Sequence, residues 1–148
     1  MKRKLAADMG LSITEFNLLG EKPENVAEFD LKYEDRQKAL RLTDNILLDS
    51  RLGFFCQPDA IKVFLDVDPR ESARRIYEAQ RETDAYDSVE QVYEINAARD
   101  AQDSQRYLDL YGVDHLDMSQ YDIVVDTTDL TPDEVLSSVL AKLPNHVQ

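Results

Sequence analysis

The run Ala60-Ile61-Lys62-Val63-Phe64-Leu65-Asp66-Val67-Asp68-Pro69-Arg70-Glu71 holds a strand, a stop and a helix start in succession. Ala60 to Val67 is short, apolar and rich in β-branched residues, the pattern of a buried parallel strand. Asp68 then supplies an N-cap oxygen, Pro69 a preset φ at the first helical position, and Glu71 an acid that reaches back to the cap. The same order recurs where Tyr121-Asp122-Ile123-Val124-Val125-Asp126 is followed by Thr131-Pro132-Asp133-Glu134, which predicts a second strand and a helix from Pro132 to Leu143. Strands that alternate with helices in this way predict an α/β fold with a mainly parallel sheet.

Working outward, Asn45-Ile46-Leu47-Leu48-Asp49 reads as a further parallel strand, and Ser12 with Glu15 opens a short helix. Ser88 with Gln91 opens a longer helix that ends at Gly112, a residue suited to the left-handed position after a C-terminus. No internal repeat or linker interrupts the pattern, so one domain over residues 1–148 is expected, with a helical lid region at about 69–112. The polar segment Thr83-Asp84-Ala85-Tyr86-Asp87 has the composition of a mobile lid. The chain starts inside a helical pattern, Lys2 to Met9, although an open α/β domain usually starts on a central strand.

A length of 148 residues suits one core, and a net charge of −13 repels nucleic acid and anionic membrane unless the basic residues are gathered in one place. The single cysteine, Cys56, can form no internal disulfide, and no Cys or His cluster has metal-ligand spacing, so no metal site is expected. The basic start Met1-Lys2-Arg3-Lys4 gives way at once to Leu5-Ala6-Ala7-Asp8, too short an apolar stretch for a signal peptide. No apolar run is long enough to span a bilayer. A cytoplasmic protein without a membrane or nucleic-acid partner is expected.

Where the arginines gather therefore decides the functional reading. In Arg99-Asp100-Ala101-Gln102-Asp103-Ser104-Gln105-Arg106, offsets of four and three place Arg99, Asp103 and Arg106 on one helical face. Guanidinium forks grip phosphate, and a carboxylate between them accepts from an exocyclic amine, so the trio suits a nucleotide. The commoner meaning of such spacing is a solvated face laced with salt bridges. Arg51 follows a predicted strand, at the carboxyl end where open α/β sheets bind ligands; a surface loop charge is the alternative. Arg74, Arg75 and Arg81 precede the polar segment, where arginines can stabilise a transferring phosphoryl group, although for Arg74 in particular plain surface charge is favoured. His115 has no nucleophile nearby and reads as a surface histidine.

Taken together, these segments resemble the cytidylate kinase family of P-loop nucleoside monophosphate kinases, most closely its shorter archaeal-type members, over essentially the whole chain. Lys2 to Ala6 with Gly10 to Phe16 is similar to an early segment whose Arg contacts the monophosphate, a role the resemblance gives to Arg3. Asn45 to Leu52 resembles the strand ending in Glu-Gly-Arg-Leu, which implies an acceptor-phosphate contact for Arg51, although Asp49-Ser50 stands here for Glu-Gly. Arg99, Asp103 and Arg106 match Arg-x-x-x-Asp-x-x-Arg, in which the first Arg reaches phosphate and the other two residues read cytosine. Tyr107 to Asp114 and Ser119 to Thr128 resemble the Tyr-Gly-Ile-Asp turn and the final strand.

The resemblance implies a three-layer α/β sandwich, phosphoryl transfer from ATP with Mg²⁺ to CMP or dCMP, and Arg75 and Arg81 closing over the transferred group. The family's loop Gly-x-x-x-x-Gly-Lys-Ser/Thr occurs nowhere in the 148 residues. An N-terminally incomplete chain is therefore expected, lacking the first strand between those at Ile46 and Ile61 and impaired in turnover. The slot would be filled by the missing segment or by a partner chain. A silent nucleotide-binding protein that uses the same face, or an interaction domain without a nucleotide site, are the competing readings.

Overall fold

A computed structural model describes residues 6–12, 15–16, 19, 23–40, 46–79 and 86–144. The chain folds as two compact units, Met1–Ala60 and Ile61–Gln148. Its described regular elements are helices α1 (Pro23–Lys38) and α2 (Gly53–Cys56), strand β1 (Val63–Asp66), helices α3 (Pro69–Glu78) and α4 (Val89–Tyr111), strand β2 (Ile123–Asp126) and helix α5 (Pro132–Lys142).

In the first unit the expected box at Ser12 forms. The Glu15 carboxylate accepts from the Ser12 backbone N–H at 2.9 Å and from its hydroxyl at 2.7 Å, while the Ser12 hydroxyl accepts from the Glu15 N–H at 3.2 Å. Phe16 stacks at a tilt on Phe29 of α1, with centroids 4.9 Å apart. Helix α1 ends against a side chain. Gln57 Nε2 donates to the carbonyls of Gln37 (2.6 Å) and Leu40 (3.2 Å), so the carbonyl oxygens a helix end leaves over are satisfied from α2's end of the chain.

Beside it, the buried Cys56 thiol donates to Glu34 Oε2 at 2.9 Å. Burial, then the Glu34 carboxylate, pushes this thiol up from 9.0 to about 12. The folded state keeps a proton that the unfolded chain releases, so this contribution to stability is intact below pH 9 and is lost as pH rises towards 12. Cys56 in the folded chain is expected to resist iodoacetamide at pH 8 and to react once urea unfolds it; mass spectrometry of the labelled protein checks this.

Residues 46–50 form no strand, contrary to the expectation for Asn45 to Asp49; Asn45 itself lies outside the described residues. A strand exists through its neighbour's hydrogen bonds, and among the described residues none pairs with this segment. Leu47 is accordingly 92% exposed.

The second unit is built on β1 and β2, which pair in parallel with Val63 opposite Ile123 and Asp66 opposite Asp126. Both strands lie inside the predicted runs, and the α/β class with a parallel sheet is what forms. Burial is uneven, however. Ile123 and Val125 of β2 are buried while Leu65 of β1 is 52% exposed, so β1 is not the doubly covered strand its apolar run suggests. Ile123 N and Thr127 N both donate towards β1, so the alternation of a parallel ladder turns the Val124 carbonyl to the opposite edge. Lys142 Nζ of α5 reaches it at 2.8 Å, placing a charge on an edge that would otherwise be open to pairing.

The helix starts follow their capping residues. Asp68 Oδ1 accepts from the N–H groups of Arg70 and Glu71 before α3. Ser88 accepts from Gln91 N before α4, and Thr131 with Glu134 closes a full capping box before α5. Gly112 sits at φ +66°, ending α4 in the left-handed conformation that glycine adopts at no steric cost. Helices α3 and α4 pack together, and Ala73 of the first and Val92 of the second are essentially without exposure.

Candidate functional site

On α4 the trio Arg99, Asp103 and Arg106 takes the single face that its spacing predicts, but its members sit in different environments. Arg99 is exposed. Asp103 is only 5% exposed, and its Oδ1 accepts from Arg106 Nη2 at 2.6 Å. A solvated face laced with salt bridges would leave that carboxylate in water. Sinking a charge costs several kcal/mol, roughly, unless a partner offsets it, and Arg106, whose side chain is 29% exposed, is that partner. The result is a carboxylate–guanidinium pair, one acceptor beside several donors, with an exposed cation one turn away.

The pair is framed by aromatic groups. The Arg106 guanidinium lies 5.1 Å from the centre of the Tyr107 ring. His115 meets the same ring edge-on, with centroids 5.1 Å apart and planes at 88°. His115 is 6% exposed, not the surface residue its sequence context suggests. The turn after Gly112 explains the difference: Val113 N donates back to the Tyr107 carbonyl, and Leu116 N closes onto Asp114 Oδ1, so the chain folds His115 under the end of α4. The signal available in the sequence was the eight-residue step from Tyr107 to His115 across a glycine turn.

At the carboxyl ends of β1 and β2, where parallel sheets offer ligands room, a cleft of about 760 Å³ is lined by Glu71, Arg75, Thr127, Thr128, Thr131 and Val135 among others. Arg75 is anchored here. Its Nε donates to Glu71 at 2.8 Å and its Nη2 to the carbonyls of Thr127 (2.8 Å) and Thr128 (2.7 Å), tying α3 to the end of β2. Arg74 holds Glu71 and Glu78 on the exposed side of the same helix, the surface-charge role favoured for it. Between the two guanidinium groups the Glu71 carboxyl falls to about 2. Glu71 as organiser of both arginines was not singled out from the sequence, although an acid three and four residues before two arginines is the signal.

Arg51 lies in the first unit, half-buried, in the turn before α2. Ser50 Oγ accepts from Leu52 N at 3.3 Å and shapes that turn, while a Cβ on Gly53 would already touch Leu48 and Ser50 at 3.4 Å. Arg3 and Arg81 lie outside the described residues. The structure thus brings Arg99, Asp103 and Arg106 onto one helix and Arg75 into the cleft of the same unit.

Among the described residues, no group of three or more His, Cys, Asp and Glu side chains is arranged to hold a metal ion. The carboxylates at the strand ends serve the backbone instead: Asp66 Oδ1 accepts from Val67 N, and Asp126 Oδ1 from Thr128 N and Oγ1. These residues do not fit a resident Mg²⁺. No described helix is long and apolar enough to cross a membrane.

The parallel strand pair with its capped helices defines an α/β protein, and comparison with known proteins specifies the family. The cytidylate kinase family profile matches residues 25–145. The cytidylate kinase of Pyrococcus abyssi is 33% identical over 142 residues, covering 95% of this chain and 74% of that protein. Those of Thermoplasma volcanium (36% over 146 residues, 95% and 73% covered) and Halobacterium salinarum (37% over 140 residues, 93% and 69% covered) are similarly related. No solved structure matches significantly. The chain belongs to the cytidylate kinase family.

Proposed function

We propose that this chain binds CMP or dCMP as phosphoryl acceptor, in one kinase domain whose helical lid spans about 69–112. Arg3, Arg51 and Arg99 hold the acceptor phosphate, Asp103 accepts from the cytosine amino group, Arg106 donates to the ring's acceptors, and Arg75 with Arg81 closes over the transferred group. ATP as donor, with Mg²⁺, follows from family membership. The observation that carries this reading is the buried Asp103 carboxylate held by Arg106. Phosphoryl transfer asks a protein mainly for positioning and charge compensation. Guanidinium groups around the acceptor phosphate lessen its repulsion for the incoming phosphoryl group, and a fixed base-reading pair aligns its oxygen for attack.

The second reading is a nucleotide-binding protein without turnover. It is favoured by the engagement of Arg75 with Glu71, Thr127 and Thr128, since a guanidinium tied to the fold is not available to a moving phosphate. Calorimetric titration with CMP, cytidine and UMP, followed by a turnover assay with ATP, tests both. CMP is expected to bind at least about tenfold tighter than cytidine, because charge-assisted contacts to phosphate are lost with it. Equal binding of CMP and cytidine would contradict the phosphate site, and CMP binding without turnover would select the second reading.

A further inference from the structure

We propose that Tyr107 and His115 act as positioning residues for the base-reading pair, a role that rests on Asp103 and Arg106 contacting the base. An arginine that must both hold a buried carboxylate and present donors to a ligand has to be fixed in orientation. A guanidinium on a flexible stem is not fixed by one ion pair alone. Here the second constraint is the Tyr107 ring, whose face lies 5.1 Å from the Arg106 guanidinium, within the range of cation–π attraction.

The ring is itself held. Tyr107 is 7% exposed, and the buried His115 imidazole abuts it edge-on at 5.1 Å, an arrangement that opposes tilting of the phenol. His115 in turn sits in a stretch whose backbone is closed on itself. Tyr121 Oη donates to the His115 carbonyl at 3.0 Å, and Gln120 Nε2 donates to the Asp114 carbonyl at 2.7 Å. Gly112 N, donating to the Leu108 carbonyl at 2.9 Å, anchors the other end of this stretch to α4. The order of support runs from the turn at Gly112 through His115 and Tyr107 to Arg106, and from Arg106 to Asp103. Both aromatic residues act through the arginine, not by touching nucleotide.

The test compares the Kd ratio of UMP to CMP, and the melting temperature, in Tyr107→Leu, Tyr107→Phe, His115→Leu and Asp103→Asn chains. Tyr107→Leu, which keeps an apolar side chain but loses the π face, is expected to lower the preference for CMP by about three- to tenfold, the loss of one partly desolvated cation–π contact. Tyr107→Phe keeps the face and is expected to restore the parental ratio; a merely structural role predicts no such split at matched melting temperature. If Tyr107→Leu does not fold, His115→Leu carries the same expectation. A preference unchanged in the folded leucine variants, or lost equally in Tyr107→Phe, overturns the positioning role. Asp103→Asn separates the two levels: if it erases the preference while the leucine variants keep it, only the aromatic bracket falls, and if it leaves the preference intact, the base-reading assignment falls and takes the bracket with it.

Discussion

Asp103→Asn is expected to weaken CMP binding by about 10- to 100-fold and to collapse the preference for CMP over UMP. The estimate is the worth of a hydrogen bond to a charged group, about 1.5–3 kcal/mol. Cytosine offers an amine where uracil offers a carbonyl oxygen. A carboxylate accepts from the first and repels the second, whereas an asparagine amide can donate to the carbonyl, so the preference is eroded from both directions. The substitution also removes the charge that compensates Arg106 across a 2.6 Å contact. Arg106 keeps partial access to water, and asparagine keeps an acceptor, so the expected cost in stability is only about 1–2 kcal/mol. Titration calorimetry with both nucleotides, with a denaturant melt of the same variant, reads the two effects separately. A large loss of stability with the CMP preference intact would mean that the pair only holds the helix in place.

Leu52→Ala is expected to cost about 2–5 kcal/mol of stability. Leu52 is 1% exposed and is among the largest fully buried side chains. Its carbonyl accepts from Phe55 N and Cys56 N at 3.1 and 2.9 Å, so it also starts α2. If Arg51 holds the acceptor phosphate as proposed, loosening its neighbour Leu52 should weaken binding of CMP more than of cytidine. A denaturant titration that shows a loss below about 1 kcal/mol would mean that the site collapses around the cavity more readily than its burial implies.

What was legible in the sequence is what local chemistry decides. Asp68, Ser88 and Thr131 cap their helices because the acceptor oxygen and the N–H group it takes lie within three residues, while the reach-back of an acid forms at Glu134 but not at Glu71, whose carboxylate goes to Arg74 and Arg75. The runs at 60–67 and 121–126 contain the strands because β-branched residues are bounded by turn chemistry on both sides. What was not legible depends on distant partners. Residues 46–50 have a strand's composition, but a ladder needs a neighbour that composition does not supply. Arg75 looked available from its own helix, yet the carbonyls that engage it lie more than fifty positions along the chain. His115 looked exposed because its burial is made by a turn whose closure involves Gly112, Asp114 and Tyr121 together. The spacing of Arg99, Asp103 and Arg106 was plain, but only the depth of Asp103 separates a fixed pair from a solvated one.

The most direct test of acceptor recognition is a thermal melt of the chain alone and with CMP, UMP or AMP added in turn. A ligand that binds only the folded state raises the melting temperature by mass action, by an amount equivalent to about 2.7 kcal/mol at a hundredfold excess over Kd. A single cooperative transition, raised by CMP and much less by UMP or AMP, is the predicted result. A cooperative transition indifferent to all three nucleotides, or raised equally by all of them, would contradict a cytosine-reading site at Asp103 and Arg106.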